Sequence, residues 1–192
     1  MDANLEPAQS GDALLVVDMQ RDFMPGGSLA VPDAQGLVAP LNRWLRRFAA
    51  DALPVCASRD WHPPHHASFI AAGGPWPAHC VAGTDGAAFA AGLALPADAF
   101  IASKGTRVDA DSYSAFGDTA LDAELRGLAV RRLCVGGVAT EFCVLYTVLD
   151  ALRLGYAVLL LGDSIAALDE VAGAQALRAM RDAGAALWEP PR

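Results

Sequence analysis

Six short apolar runs, separated by longer stretches of helical pattern, constrain this chain more than any other feature. Ala13–Val17 reads ALLVV, the continuous apolar run required of a strand buried on both faces. Pro54–Ser58, Phe100–Ser103, Leu133–Gly136, Ala157–Leu161 and Ala185–Trp188 repeat that signature. Helical patterns occupy roughly 36–50, 118–128, 140–154 and 169–183, and Gly155 and Gly184 stand where the last two should stop. Strands that alternate with helices pair in parallel, because each crossover returns the chain to the same end of the sheet. The expected fold is therefore α/β: three layers, α/β/α, around a mostly parallel six-stranded sheet of Rossmann-like type. The 192 residues suit one domain spanning 1–192, without internal repeat or linker. The one long irregular stretch, 61–86, is rich in Pro, His and Gly, and a loop of that length is usually functional.

Composition removes several classes of function. Hydrophobic residues at 54% and charged residues at 19% exclude a largely disordered chain. A net charge of −8 argues against a nucleic-acid partner. The acidic start, Met1-Asp2-Ala3-Asn4-Leu5-Glu6-Pro7, has neither the basic nor the apolar region of a signal peptide. The longest segment without Asp, Glu, Lys or Arg, Trp61–Thr84, carries four His and four Pro and cannot span a membrane. The cysteines, 56, 80, 134 and 143, show no CxxC spacing, so reduced thiols and a cytoplasmic setting are expected. The oligomeric state is open, a homo-oligomer included.

Two oddities stand out: a single Lys, at 104, and four His confined to positions 62–79. Ligands of open α/β sheets bind outside the carboxyl ends of the strands. Asp18 follows the first apolar run, Asp60 and His62 the second, and Lys104 the third. Cys143 lies just after the fourth. Thr140 reads as an N-cap, which puts Cys143 in the first helical turn, where the helix dipole favours a thiolate and free N–H groups form an oxyanion hole. The plainer reading of Cys143 is a small core residue. Cys56 and Cys134, inside strands, belong to the core, and Cys80 has no assigned role. Asp18 is placed as a general base facing the thiol, whereas Asp22 is the candidate to brace the loop Phe23–Gly27. Asp60-x-His62, with His79, supplies a carboxylate and two imidazoles suited to Zn²⁺, Mn²⁺ or Fe²⁺, and His65 and His66 compete as further ligands.

Six segments in order resemble the isochorismatase-type cysteine hydrolases, and within them the nicotinamidase/pyrazinamidase group: Val17–Phe23 (VDMQRDF), Ser58–Pro63 (SRDWHP), Trp76–Thr84 (WPAHCVAGT), Ser103–Thr106 (SKGT), Asp111–Phe116 (DSYSAF) and Gly137–Val144 (GVATEFCV). The likeness covers nearly the whole chain. It implies a catalytic triad of Asp18, Lys104 and Cys143, and a divalent ion, Zn²⁺ first and Mn²⁺ or Fe²⁺ as alternatives, on Asp60, His62 and His79. It further implies an oxyanion hole from the N–H groups of Ala139 and Cys143, with a cis peptide between Val138 and Ala139. Phe23, Trp76, Tyr113 and Val138 are carried over as substrate-binding residues. His66 matches a residue that is a direct ligand only in some relatives, and the family commonly has Asp or Asn where His65 stands. The implied reaction is hydrolysis of a small amide, nicotinamide, to nicotinate and ammonia through a Cys thioester, in NAD salvage and with pyrazinamide as a further substrate. The alternatives are a relative acting on another amide or ureido compound, and a metal-binding protein of the same fold without activity.

Overall fold

All six apolar runs become strands of one parallel sheet. In this computed structural model, which describes residues 6–191, they are β1 (Asp12–Val17), β2 (Val55–Asp60), β3 (Phe100–Lys104), β4 (Arg132–Val138), β5 (Ala157–Ala166) and β6 (Ala186–Trp188). The α-helices are α1 (Val38–Ala50), α2 (Leu121–Gly127), α3 (Leu145–Arg153) and α4 (Glu170–Asp182). The strand order is β3-β2-β1-β4-β5-β6, with every neighbouring pair parallel. The chain winds outward from β1 to β3, then crosses back to lay β4 beside β1. The winding thus reverses between β1 and β4, and a crevice opens outside the carboxyl ends at that point.

Alternation along β1 feeds two cores. Leu14 and Val16 pack with Leu41, Leu45 and Phe48 of α1. Ala13, Leu15 and Val17 pack with Leu121 and Leu125 of α2, Val148 of α3 and Met180 of α4. Both faces of the strand are apolar because both are covered, which is what the unbroken run ALLVV requires. Burying each such side chain contributes about 1.5–3 kcal/mol. Cys56 and Cys134 lie in these cores as expected, with no exposed surface.

Three boundaries differ most from the sequence reading. β5 runs five residues beyond Leu161, because its ladder with β4 resumes after a register shift: Val135 pairs Leu160, then Gly137 pairs Ile165. The shifted stretch carries Asp163, whose carboxylate accepts from Arg43 and Trp44, so its polarity hides the strand from an apolar pattern. α2 starts at Leu121 rather than 118, after Asp118 adopts left-handed φ of 53°. Thr140 is not the N-cap. Ala139 is, with no side-chain bond, and its carbonyl accepts from Val144 N–H (3.2 Å), five residues on, so a wide π turn over Thr140–Val144 precedes α3. Gly155 and Gly184 do end α3 and α4, with φ of 93° and 111°.

Gly137 is the residue that lets β4 close on β1 near the reversal. Its φ is +130°, and a Cβ there would overlap the backbone of Val17.

Candidate active site

β1, β2, β3 and the β4–α3 turn deliver their terminal side chains to one point. Asp18, in the left-handed region at φ 47°, turns the chain out of β1 and is fully buried. Ser58, on β2, donates its hydroxyl to Asp18 Oδ1 at 2.6 Å. Lys104 ends β3 two strands away, and its side chain reaches back to place Nζ 3.0 Å from Asp18 Oδ2 and 2.5 Å from Asp60 Oδ1. The same ammonium donates to the Ser112 carbonyl (3.2 Å) and lies 3.5 Å from Cys143 Sγ. Asp18 Oδ2 has this ion-pair contact but no donor aligned for a hydrogen bond among the described residues. With Oδ1 held by Ser58, Oδ2 is the oxygen open to a proton from the thiol.

The electrostatics follow from burial. Burial pushes the Cys143 thiol well above its ordinary value, and Asp18 and Asp60 add to that, outweighing Lys104. Burial thus opposes the thiolate that a first-turn position favours, and the sulfur calls for a base beside it. Asp18 is also raised by burial, against the pull of Lys104. Asp60 feels the same burial, but Lys104 and His62 more than offset it and hold its carboxyl below the usual range. Burial works against the Lys104 charge, yet Asp18 and Asp60 together keep it firmly protonated.

Asp60, His62 and His79 form the second part of the site. Asp60 Oδ2 lies 3.6 Å from His62 Nε2 and 3.8 Å from His79 Nε2. Each imidazole is fixed through its other nitrogen: His62 Nδ1 bonds the Gly105 carbonyl at 2.9 Å, and His79 Nδ1 bonds the Pro77 carbonyl at 2.8 Å. Both Nε2 atoms therefore turn toward the free carboxylate oxygen. One carboxylate and two imidazoles, oriented by carbonyls behind them, are a donor set that fits a divalent ion. Gly105 matters sterically, since at φ +61° it packs against the ring it holds and a Cβ there would overlap the His62 imidazole. The segments carrying His62 and His79 are joined by a short parallel bridge, with His62 N–H on the Cys80 carbonyl (3.0 Å) and Ala82 N–H on the His62 carbonyl (2.8 Å). Cys80, unassigned from sequence, acts here through its backbone, while its thiol is buried.

His66 stands behind this group. Its ring stacks on His62 at 4.1 Å, Nδ1 meets Ser68 Oγ (2.7 Å) and Nε2 meets the Ala110 carbonyl (3.0 Å). It clusters with His62 and Asp111, not with Asp60 and His79. His65 is an exposed loop residue. Asp22 braces the loop after it through Ser28 N–H at 3.4 Å, as anticipated, and also accepts from Cys80 N–H at 2.7 Å.

A pocket opens over both parts, lined by Cys143, Ala139, Asp60, His62 and His79. Phe23 forms one wall, 5.8 Å from the His79 ring. Trp76 and Tyr113 form another, tied by Trp76 Nε1 donating to the Tyr113 hydroxyl at 3.0 Å. Val138 does not line the pocket; it lies fully buried in the core beneath, joined to Ala139 by the cis peptide. Phe142, Leu168 and Asp111 line the pocket and escaped the sequence reading. Leu168 is placed by Glu141, whose buried carboxylate accepts from the N–H groups of Leu168 (3.2 Å) and Asp169 (2.7 Å). Asp111 had a signal, since it opens the DSYSAF segment; Phe142 and Leu168 looked like ordinary apolar residues. Cys143 N–H sits among the first-turn donors that a helix leaves without intrahelical partners.

Known proteins resemble this chain in sequence and in fold. Residues 12–189 match the model of the isochorismatase domain. The nicotinamidase of Escherichia coli (strain K12) is 39% identical over 199 residues, covering 92% of this chain and 93% of the relative. The pyrazinamidase of Pyrococcus horikoshii, solved in complex with zinc, superposes with a TM-score of 0.91 at 45% identity, covering 94% of this chain and 99% of that one. PnC1 from L. infantum, solved in complex with nicotinate, superposes with a TM-score of 0.86 at 40% identity, covering 93% and 92%.

Proposed function

The chain belongs to the isochorismatase family, and on that footing we propose that it hydrolyses nicotinamide to nicotinate and ammonia, with pyrazinamide as a second substrate. The observation that carries this reading is the buried Lys104 ammonium, which lies within 3.5 Å of Asp18 and of two residues, Asp60 and Cys143, that line one aromatic-walled pocket. The similar proteins named above support the choice of amide.

The pyridine ring sits between Phe23 on one side and Trp76 and Tyr113 on the other, with its amide over Cys143. Asp18 Oδ2 takes the thiol proton, and Lys104 steadies the carboxylate before transfer and the thiolate after it. The sulfur attacks the amide carbon, and the resulting oxyanion is received by the N–H groups of Ala139 and Cys143. The C–N bond breaks as Asp18 returns the proton to the departing nitrogen, releasing ammonia and leaving a thioester. Water, losing one proton to Asp18, adds to that thioester; the C–S bond breaks, the proton on Asp18 goes to sulfur, and the acid leaves as nicotinate, giving its remaining proton to solvent. Asp60, His62 and His79 hold the metal, Zn²⁺ as first choice and Mn²⁺ or Fe²⁺ suiting the same donors. When bound, the ion supplies a Lewis-acid anchor for the ring rather than the nucleophile. His66 is assigned to support of His62 instead of coordination.

Among the described residues no helix is long and apolar enough to cross a membrane. A cytoplasmic role in NAD salvage, carried by one domain over 1–192, completes the proposal. Ammonia release measured across a panel of small amides, with and without a chelator, tests it. Release from nicotinamide and pyrazinamide that falls on chelation is expected; release only from a ureido compound, or from nothing, contradicts it.

A further inference from the structure

The segment Val17–Phe23 gives the site Asp18 and Phe23, but two of its polar residues, Gln20 and Asp22, do not line the pocket. Gln20 is fully buried. Its Oε1 accepts Asp60 N–H at 2.7 Å, and its Nε2 donates to the Asp60 carbonyl at 2.8 Å and the Ala87 carbonyl at 3.0 Å. One side-chain amide thus grips both main-chain groups of Asp60, as a neighbouring strand would. It does so where β1 no longer runs alongside: β1 ends at Val17 and Asp18 turns away, so among the described residues the last residue of β2 has no backbone partner on that side.

Asp22 grips the other ligand-bearing segment. Its Oδ2 accepts Cys80 N–H at 2.7 Å. Cys80 follows His79 in the chain, holds a left-handed φ of 45°, and accepts His62 N–H on its carbonyl at 3.0 Å. A single carboxylate therefore sets a residue covalently next to one imidazole and hydrogen-bonded to the segment of the other.

We propose that Gln20 and Asp22 are positioning residues of the metal site, fixing the main chains of Asp60 and Cys80 so that Asp60, His62 and His79 present their ligand atoms together. The inference rests on the reading that those three residues hold a divalent ion. Partners beyond the ligands themselves commonly change metal affinity by about 10–100-fold, because a loosened ligand must be ordered again when the ion binds.

The test is Zn²⁺ affinity, measured by competition with a chromophoric chelator on the whole protein, beside thermal melts of the metal-free forms. Gln20→Met and Asp22→Ala are expected to weaken Zn²⁺ binding by about 10–100-fold. Asp22→Asn, which keeps an acceptor oxygen for Cys80 N–H, is expected to restore most of it. Asp22 is half-buried on a single 3₁₀ turn, Arg21–Phe23, and keeps the inference testable should Gln20→Met not fold. A variant that melts earlier yet binds Zn²⁺ as tightly as the wild type overturns the positioning role. A wild type that binds no Zn²⁺ overturns the metal reading itself.

Discussion

Lys104 Nζ lies 2.5 Å from Asp60 Oδ1, so the cation beside the Cys143 thiol also touches the carboxylate that clusters with His62 and His79. Lys104 is 1% exposed and Asp60 4%. Two carboxylates and one ammonium share a site with almost no exposed surface, and the ammonium favours the charged form of each carboxylate.

Removing that ammonium should therefore cost more than a surface charge does. Breaking a buried pair by deleting one partner typically destabilises by about 3–5 kcal/mol. We expect Lys104→Met to lose a comparable amount in urea melts, and Asp18→Asn introduced with it to recover part of the loss, giving a non-zero coupling in the double-mutant cycle. A loss below about 1 kcal/mol, the range of exposed pairs, contradicts a fully buried pair.

Asp18 has divided duties: Oδ1 takes the Ser58 hydroxyl, Oδ2 pairs with Lys104, and the carboxylate lies within 4.8 Å of Cys143 Sγ. Asp18→Asn should lower kcat by about 10²–10⁴-fold, the usual contribution of a positioned proton acceptor, with KM little changed. Ser58→Ala removes only the bond that orients the carboxylate and should cost about tenfold or less, as one hydrogen bond of 0.5–1.5 kcal/mol allows. Equal losses in the two variants, read from steady-state kinetics, contradict this division.

Burial and the two carboxylates hold the Cys143 thiol protonated at neutral pH. The neutral form is favoured, so ionisation moves to higher pH. Alkylation of Cys143 by iodoacetamide in the metal-free protein should be slow at pH 7 and rise only above the ordinary thiol range, about 8.5. Peptide mapping against pH reads this directly, and rapid labelling of Cys143 at pH 6 to 7 contradicts it.

Much of this was legible in the chain before folding, for identifiable reasons. The strands of a doubly covered sheet must be apolar on both faces, so ALLVV and its five counterparts stood out. Lys104 stood out because no other lysine competes with it, and strand-end placement grouped it with Asp18, Asp60 and Cys143. Tertiary partnerships were not legible. Ser58 reads as a strand polar residue until its hydroxyl is seen on Asp18. Leu168 reads as a helix-entry leucine until Glu141, 27 positions earlier, is seen holding its N–H. The π turn depends on which N–H claims the Ala139 carbonyl, a choice made by packing rather than by Thr140. The extension of β5 was hidden by Asp163, which serves α1 across the sheet.

The central claim is that Cys143 attacks the amide of nicotinamide. It is tested most directly by ammonia release from nicotinamide by the purified wild type and by Cys143→Ala, each shown by thermal melting to be folded. Steady release by the wild type and none above the uncatalysed rate from Cys143→Ala is the expected result. Release that survives in Cys143→Ala, or is absent from the metal-loaded wild type, contradicts it.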